Sequence, residues 1–342
     1  MDPVLRILDA NLNRAREGVR TAEEYSRLCL EDTLCLELLR DVRRALAEFS
    51  GLLPEPARLL ESRDVEHDPG LQPHSPTGRD TPGDVALAGL KRAQEALRVL
   101  EEYAKPLAAR AAALAAKARY LLYTGEQQLF VAAPRRKALR DARVMVIFTR
   151  ALCRGPWQET LRALLDAGAR LFQLREKDAE GRDLCEFGEQ FMGQAGAESC
   201  VLVNDRADVC CALRAAGVHV GQRDLPLQAA RIVVGHGALV GVSTHNMEEA
   251  AQAAKGGADY IGLGAMFPTG SKNVESFALP QVVAEVHETL PGFPVFCIGG
   301  VTSGNAARLR PLGVKRVAAG AALLQAEQPG EAFRALVAAL EA

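Results

Sequence analysis

Hydrophobic and polar positions follow two different periods along the chain, and the change falls near residue 130. Up to about residue 128, apolar residues recur at helical spacing in segments rich in Ala, Leu, Arg and Glu. From residue 144 onward, short apolar runs with β-branched residues alternate with helix-patterned segments. The pattern predicts an all-α domain over residues 1–130, a linker over 131–142 and an α/β domain over 143–342.

The helical half contains an internal repeat. Residues 11–27 (NLNRAREGVRTAEEYSR) align with residues 89–105 (GLKRAQEALRVLEEYAK), and the second amphipathic stretches 34–53 and 107–129 follow the two copies. This arrangement predicts a duplicated helical hairpin that forms a four-helix unit. The Pro- and Gly-rich residues 61–84 between the copies predict a long loop.

Charged positions recur in both copies of the repeat. They are Arg14, Glu17, Arg20 and Glu23 in the first copy, and Arg92, Glu95, Arg98 and Glu101 in the second. Because residues three apart on a helix are neighbours, these charges can pair along a helix or between the copies. A ligand site that uses the arginines is the alternative interpretation.

Eight apolar runs in the second half are candidates for strands. They span residues 144–149, 170–176, 200–205, 217–222, 239–244, 260–265, 294–300 and 314–320. Nearly continuous apolar strands separated by helices are typical of a parallel sheet whose outer face is covered. Eight such units in about 200 residues favour a (β/α)₈ TIM barrel over a doubly wound sheet, which is the alternative.

Composition and charge narrow the class of protein. The 342 residues carry a net charge of −2, which gives no general reason to bind nucleic acid or an anionic membrane. Residues 1–14 lack the apolar segment of a secretory signal, and no apolar run is long enough to span a bilayer. The eight cysteines show no CxxC spacing, so we expect reduced thiols in a cytoplasmic protein.

Polar residues collect where the predicted strands end. Because side chains alternate along a strand, Gln173, Arg175 and Lys177 should point to one side together. The other strand ends contribute Asn204 and Asp205, Asp224, Ser243, the segment Thr269, Gly270, Ser271 and Lys272, then Gly299 and Gly300, and finally Gly320 and Ala321. In a barrel these residues would share one rim, where barrel enzymes place their active sites.

The residue types indicate phosphorylated small-molecule substrates. Arg175, Lys177 and Lys272 offer positive charge and many N–H donors, which suit a diphosphate. Asp205 and Asp224 suit Mg²⁺, which takes one or two carboxylates and completes its shell with water and phosphate oxygens. The glycines at the last two strands could hold a monophosphate on backbone amides. The structural alternatives are that both aspartates cap the helices that follow them and that the cations are surface charges.

Six motifs occur in unbroken order over residues 144–340: FQLREK, VNDR, GVHVGQ followed by Asp224, GVSTH, YIGLGAMFPTGSK and IGG. Together they resemble the thiamine-phosphate synthase family, which is similar in fold to the predicted barrel. The resemblance implies an Mg²⁺-assisted transferase that joins a pyrimidine diphosphate to a thiazole phosphate. It also implies that pyrophosphate leaves to give a stabilised pyrimidine methylene cation.

The resemblance also implies roles for particular residues. Those implied to bind the pyrimidine diphosphate are Gln173, Leu174, Arg175, Glu176, Lys177, Asn204, Ser243 and Lys272, of which Arg175, Lys177, Ser243 and Lys272 are implied to be catalytic. Asp205 and Asp224 would hold Mg²⁺. Those implied to bind the thiazole phosphate are Thr269, Gly270, Ser271, Gly299, Gly300, Gly320 and Ala321. At Ala321 the chain departs from the hydroxyl-bearing segment usual in the family, so a side-chain contact is lost there.

Two rival functions remain open at this stage. A related thiazole tautomerase would need neither Asp205 nor Asp224, and a non-catalytic scaffold would use mainly the helical half. We expect the helical half to be a homodimerisation or regulatory module, and we expect no nucleic-acid or membrane partner.

Overall fold

The computed structural model describes residues 2–53, 57–63, 78–268 and 277–341. The chain divides into two compact units, Met1–Pro134 and Arg135–Ala342. The helices of the first unit are α1 (Pro3–Glu24), α2 (Thr33–Gly51), α3 (Arg58–Glu61), α4 (Pro82–Ala104) and α5 (Ala109–Gln127), with π-helical turns at Tyr25–Leu30 and Gln128–Ala132. Helix α6 (Ala133–Asp141) begins at the end of this unit and continues into the next.

The two copies of the repeat, α1 and α4, pack directly against each other. Their backbones meet at Gly18 and Gly89, where a Cβ on Gly18 would lie 2.3 Å from the carbonyl oxygen of Gly89. The second helices of the two copies, α2 and α5, also pack together. Within each copy the two helices also pack together, α1 with α2 and α4 with α5, so the predicted duplicated helical hairpin is confirmed.

Ion pairs recur at corresponding places in the two hairpins. They are Arg20–Glu23, Arg20–Glu24 and Glu23–Arg43 in the first copy, and Arg98–Glu101, Arg98–Glu102 and Glu101–Arg119 in the second. Glu23 and Glu101 are buried, and each joins the two helices of its own hairpin. These contacts favour the structural interpretation of the repeated charges, since a buried carboxylate needs a paired cation.

Eight parallel strands form a closed barrel in the second unit, in the order β1 to β8. They are β1 (Val144–Phe148), β2 (Leu171–Leu174), β3 (Cys200–Asn204), β4 (Gly217–Val220), β5 (Leu239–Thr244), β6 (Tyr260–Gly264), β7 (Val295–Ile298) and β8 (Val317–Ala319). The prediction of a (β/α)₈ barrel is confirmed, and the doubly wound alternative is wrong, because β1 pairs with β8 and closes the sheet.

Helices and short turns cover the outside of the barrel. They are α7 (Trp157–Asp166), α8 (Gly181–Ala195), α9 (Ala207–Leu213), α10 (Leu227–Val234), α11 (Met247–Lys255), α12 (Pro280–Thr289), α13 (Ala321–Leu324) and α14 (Pro329–Glu341), with 3₁₀ turns at Arg150–Leu152 and Ala306–Leu312. Alternate strand residues pack under these helices, for example Phe172 and Leu174 of β2. The residues between them face the barrel interior, where Leu171 packs with Tyr260 and Phe296.

Helix α6 lies across the N-terminal end of the barrel and occupies most of the predicted linker. Its Leu139 is fully buried in the interior cluster with Met145 of β1. Arg135 donates to the carbonyl oxygen of Gly237 at 2.8 Å, and Arg316 donates to that of Arg140 at 2.6 Å. The barrel is therefore closed at this end by packing and by arginine side chains that donate to backbone carbonyls.

Two further observations concern the chain as a whole. Among the described residues, no helix combines the length and the apolar character that crossing a bilayer requires. All eight cysteines are free thiols.

Candidate active site

The end of β2 directs Gln173, Arg175 and Lys177 toward the C-terminal rim of the barrel. Gln173 is buried in the interior, with its amide nitrogen 3.6 Å from the sulfur of Met145. Arg175 is half-buried and Lys177 is exposed. Burial lowers the pKa of Arg175, and the charge of Asp205 opposes that shift. The exposure of these three residues therefore increases from Gln173 in the barrel interior to Lys177 at the surface of the rim.

Two carboxyl groups from neighbouring loops meet at this rim. Asp205 follows β3 with a left-handed backbone (φ 61°), and its carboxyl lies within hydrogen-bonding reach of that of Asp224. Burial raises the pKa of Asp205, and Asp224 raises it further, whereas Lys177 and Arg175 lower it. The structure thus brings two cations and two carboxylates from three loops together.

Neither aspartate caps the helix that follows it. Helices α9 and α10 begin after Arg206 and Pro226, and neither N-terminus has a side-chain cap. Asp224 instead accepts the backbone N–H of Gly221 at 2.8 Å. The capping interpretation is therefore wrong for both residues.

The carboxylate oxygens of the two aspartates suit a hard cation that prefers oxygen ligands. Two carboxylates in contact repel each other unless a proton or a cation lies between them. Within the described parts of the chain, no group of three or more His, Cys, Asp or Glu side chains could hold a metal. A closed zinc cage does not fit these residues, whereas an ion that keeps water and phosphate ligands does.

A chain of hydrogen-bonding side chains crosses the upper interior of the barrel. The Nε2 of His219 lies 2.9 Å from the Ser243 hydroxyl, and its Nδ1 lies 3.0 Å from the Tyr260 hydroxyl. Tyr260 is fully buried, which raises the pKa of its phenol well above the usual range, while a hydrogen bond from Gln173 opposes the rise. Ser243 is thereby held by β4 and, through His219, by β6.

Tyr260 and Gln222 are functional candidates that the sequence interpretation missed. Tyr260 belongs to an apolar strand segment, but a buried tyrosine hydroxyl needs a partner and so signals a polar network. Gln222 donates its side-chain amide to the carbonyl oxygen of Ser243 at 2.7 Å. No local pattern marks that contact, because Gln222 lies in the loop after β4 and Ser243 lies in β5. Asn204, at the end of β3, lies opposite His219 in the strand register.

Leu174 and Glu176 point away from the interior of the rim. The Leu174 side chain packs in the outer core, so only its backbone could reach a ligand. The Glu176 carboxylate accepts the backbone N–H of Arg150 at 2.6 Å. The strand alternation that places Gln173 and Arg175 inward therefore places these two residues outward.

The ends of β7 and β8 supply backbone groups rather than side chains. Gly300 has φ 63°, and a Cβ there would lie 2.4 Å from the carbonyl oxygen of Pro268, so a side chain is excluded. Gly299 also has a positive φ, of 97°. After β8, the N–H groups of Leu323 and Leu324 bond to the carbonyl oxygen of Gly320, which begins α13. The N–H groups of Ala321 and Ala322 precede this helical ladder.

Thr269, Gly270, Ser271 and Lys272 lie outside the described residues. The described chain resumes at Phe277. The predictions for these four positions therefore remain predictions.

A closed (β/α)₈ barrel whose C-terminal rim brings two cations near two carboxylates has the architecture of a barrel enzyme. Residues 144–323 match the model of the family described as Thiamine monophosphate synthase, and residues 6–128 match the ThiD2 family. The chain belongs to the thiamine monophosphate synthase family, and it is a transferase of thiamine biosynthesis. The family resemblance read from the motifs is confirmed.

Curated relatives match over both units. Thiamine-phosphate synthase of Gloeobacter violaceus is 38% identical over 333 residues, covering 96% of this chain and 94% of the relative. That of Synechocystis sp. is 36% identical over 346 residues, covering 98% and 96%. The solved structure of thiamine phosphate pyrophosphorylase from Pyrococcus furiosus is 31% identical with a TM-score of 0.54, and covers 60% of this chain and 98% of that protein.

Proposed function

We propose that the barrel joins 4-amino-5-hydroxymethyl-2-methylpyrimidine diphosphate to 4-methyl-5-(2-phosphoethyl)thiazole, forming thiamine phosphate and pyrophosphate. The observation that carries the proposal is the meeting of Arg175 and Lys177 with Asp205 and Asp224 at one rim. Loss of pyrophosphate places negative charge on the leaving oxygens, and preorganised cations stabilise charge that develops there.

Asp205 and Asp224 would hold Mg²⁺. When bound, the ion supplies positive charge that neutralises the departing pyrophosphate. The raised pKa of Asp205 supports the assignment, because the crowded carboxylates have unsatisfied negative charge that a cation would balance.

The side chains would have two tasks, to stabilise the charge of the leaving group and to orient the pyrimidine ring. Arg175, Lys177 and Lys272 would pair with the diphosphate as its bond to the methylene carbon breaks and the electron pair leaves with pyrophosphate. Gln173 and Asn204 would orient the pyrimidine ring, and Ser243 would be held in place by His219. The thiazole nitrogen then bonds to the electron-poor methylene carbon.

The thiazole phosphate would bind at the loops after β6, β7 and β8. Backbone N–H groups at Gly299, Gly300, Gly320 and Ala321, with Thr269, Gly270 and Ser271, would receive the phosphate and hold the nitrogen in line. Because Ala321 has no hydroxyl, we expect this site to depend mainly on backbone donors.

Formation of thiamine phosphate from both substrates and Mg²⁺ tests the proposal. We expect product, with turnover lost when EDTA removes the metal and in Asp205→Ala. Product without any divalent ion would refute the metal assignment. Absence of product with both substrates present would refute the activity and favour the scaffold, whereas thiazole isomerisation independent of Asp205 would favour the tautomerase.

For the helical unit we propose a homodimerisation or regulatory role in a cytoplasmic protein. The described helices and their paired charges support a stable module with its own core. Light scattering on the full chain should give twice the mass of 36.7 kDa if the unit dimerises. A monomeric mass at working concentrations would leave only the regulatory role.

A further inference from the structure

The backbone of Arg175 is held on both sides by the last residue of β1 and the residue that follows it. The N–H of Arg175 donates to the carbonyl oxygen of Phe148 at 2.8 Å. Its carbonyl oxygen accepts the Thr149 hydroxyl at 2.7 Å. Both peptide groups that flank the Cα of this arginine are therefore attached to the neighbouring strand end.

These contacts extend the β1–β2 ladder with side chains. In a parallel pair in which the N–H of Arg175 bonds to Phe148, the carbonyl of Arg175 would normally accept the N–H of Arg150. That N–H donates instead to the Glu176 carboxylate at 2.6 Å. The Thr149 hydroxyl takes the place of the missing N–H, so every group of the interrupted ladder keeps a partner.

The far side of this junction is anchored on helix α8. The Arg150 guanidinium lies 4.4 Å from the ring centre of Phe187 and donates to Asp183 at 2.7 Å. It also lies 3.6 Å from the carboxylate of Glu176, whose side chain is only 10% exposed. A partly desolvated carboxylate held by a charged side chain and a backbone N–H has little freedom to turn toward the rim.

We propose that Thr149 and Glu176 are positioning residues that hold Arg175 at the place where the leaving pyrophosphate gains charge. This inference rests on the proposed function, and it changes the role of Glu176, which acts through Arg150 rather than by touching substrate. Precise placement of a cation affects the rate mostly when the cation acts in the transition state.

Thr149→Val tests the first contact, because valine keeps the shape of threonine and removes only the hydroxyl. We expect kcat to fall about 5- to 30-fold, as loss of one or two kcal/mol of positioning implies, while KM for the pyrimidine diphosphate changes little. Thr149→Ser keeps the hydroxyl and should restore kcat to near the native value.

Thr244→Val is the matched control. Thr244 is a buried threonine at the end of β5, whereas Thr149 is half-buried after β1, and the Thr244 hydroxyl donates to the carbonyl oxygen of Gly262 at 3.3 Å. Gly262 is a residue of β6 with no proposed catalytic role, whereas the carbonyl that Thr149 contacts is that of the proposed catalytic residue Arg175. We expect a similar loss of urea resistance in both variants, with kcat reduced only in Thr149→Val.

Glu176 provides an independent pair of variants. Glu176→Gln keeps an acceptor for the N–H of Arg150 and should retain most of kcat. Glu176→Ala removes the acceptor and should lower kcat as Thr149→Val does. If glutamate contacted the substrate directly, both variants would instead raise KM for the pyrimidine diphosphate.

A double-mutant cycle with Arg175→Ala separates the inference from the function on which it rests. If Thr149 acts through Arg175, Thr149→Val should have no further effect in the Arg175→Ala chain. Equal losses in both backgrounds, or an unchanged kcat in Thr149→Val, would overturn the inference alone. Full activity of Arg175→Ala would overturn the role of Arg175 and the inference with it, whereas absence of product from the native chain would overturn the proposed function.

Discussion

The two ends of the barrel use the same kinds of charged residue for different purposes. At the N-terminal end, arginine donors are directed at backbone carbonyls or at a buried carboxylate: Arg135 bonds to Gly237, and Arg231 bonds to Asp259 at 2.5 Å. At the C-terminal end, Arg175 and Lys177 face Asp205. Among the contacts of the described residues, the side chains of these two cations donate to no backbone carbonyl.

This difference explains how one fold separates stability from chemistry. Helix α6 closes the N-terminal end with Leu139 and with hydrogen bonds that complete the backbone, so substitutions there should affect folding. At the opposite end, Arg175 and Lys177 lie near the carboxylates of Asp205 and Asp224, so substitutions there should affect turnover. Barrel enzymes in general keep catalysis at the C-terminal face.

Removal of α6 should have the largest effect. A chain that starts at Arg143 lacks Leu139 and the carbonyl of Arg140, and we expect no cooperative unfolding transition by circular dichroism. A chain that starts at Ala133 keeps the helix and should fold. Equal melting of the two chains would show that α6 does not close the barrel.

Arg175→Ala should strongly reduce turnover while leaving the fold intact. Loss of a preorganised charge near the leaving group should reduce kcat about 10²- to 10³-fold. The urea midpoint should barely change, because the group is half-buried beside solvent. Arg135→Ala is the control from the other end, with the reverse expectation of lower stability and near-native kcat.

Asp259→Ala should mainly destabilise the N-terminal end. The carboxylate is 6% exposed, accepts the backbone N–H of Val240 at 2.9 Å and pairs with Arg231. Leaving that arginine without its carboxylate should cost about 3 kcal/mol of unfolding free energy, measured by urea titration. A large fall in kcat for the folded variant would contradict the separation of the two ends.

Tyr260→Phe should have the smallest of these effects. His219 loses its partner at Nδ1 but keeps Ser243 at Nε2, so Ser243 should be held less firmly. We expect kcat/KM to fall about fivefold, as loss of one hydrogen bond implies. An unchanged kcat/KM would show that the buried network serves folding alone.

Much of the architecture could be predicted from local pattern. The eight apolar runs match eight strands, and the repeat at residues 11–27 and 89–105 matches the paired helices α1 and α4. The alternation along β2 also predicted that Gln173 and Arg175 share a side. These features follow from the strand period of 2 residues and the helix period of 3.6 residues, which can be read from short segments of the sequence.

The sequence by itself determined the fold class, the strand ends that carry polar residues and the family. Only the tertiary structure decided that Glu176 bonds to Arg150, that Tyr260 holds His219, and that helix α6 lies across the barrel. The physical reason is that each of these contacts joins side chains from separate elements. Their direction depends on strand register and burial, neither of which a local pattern specifies.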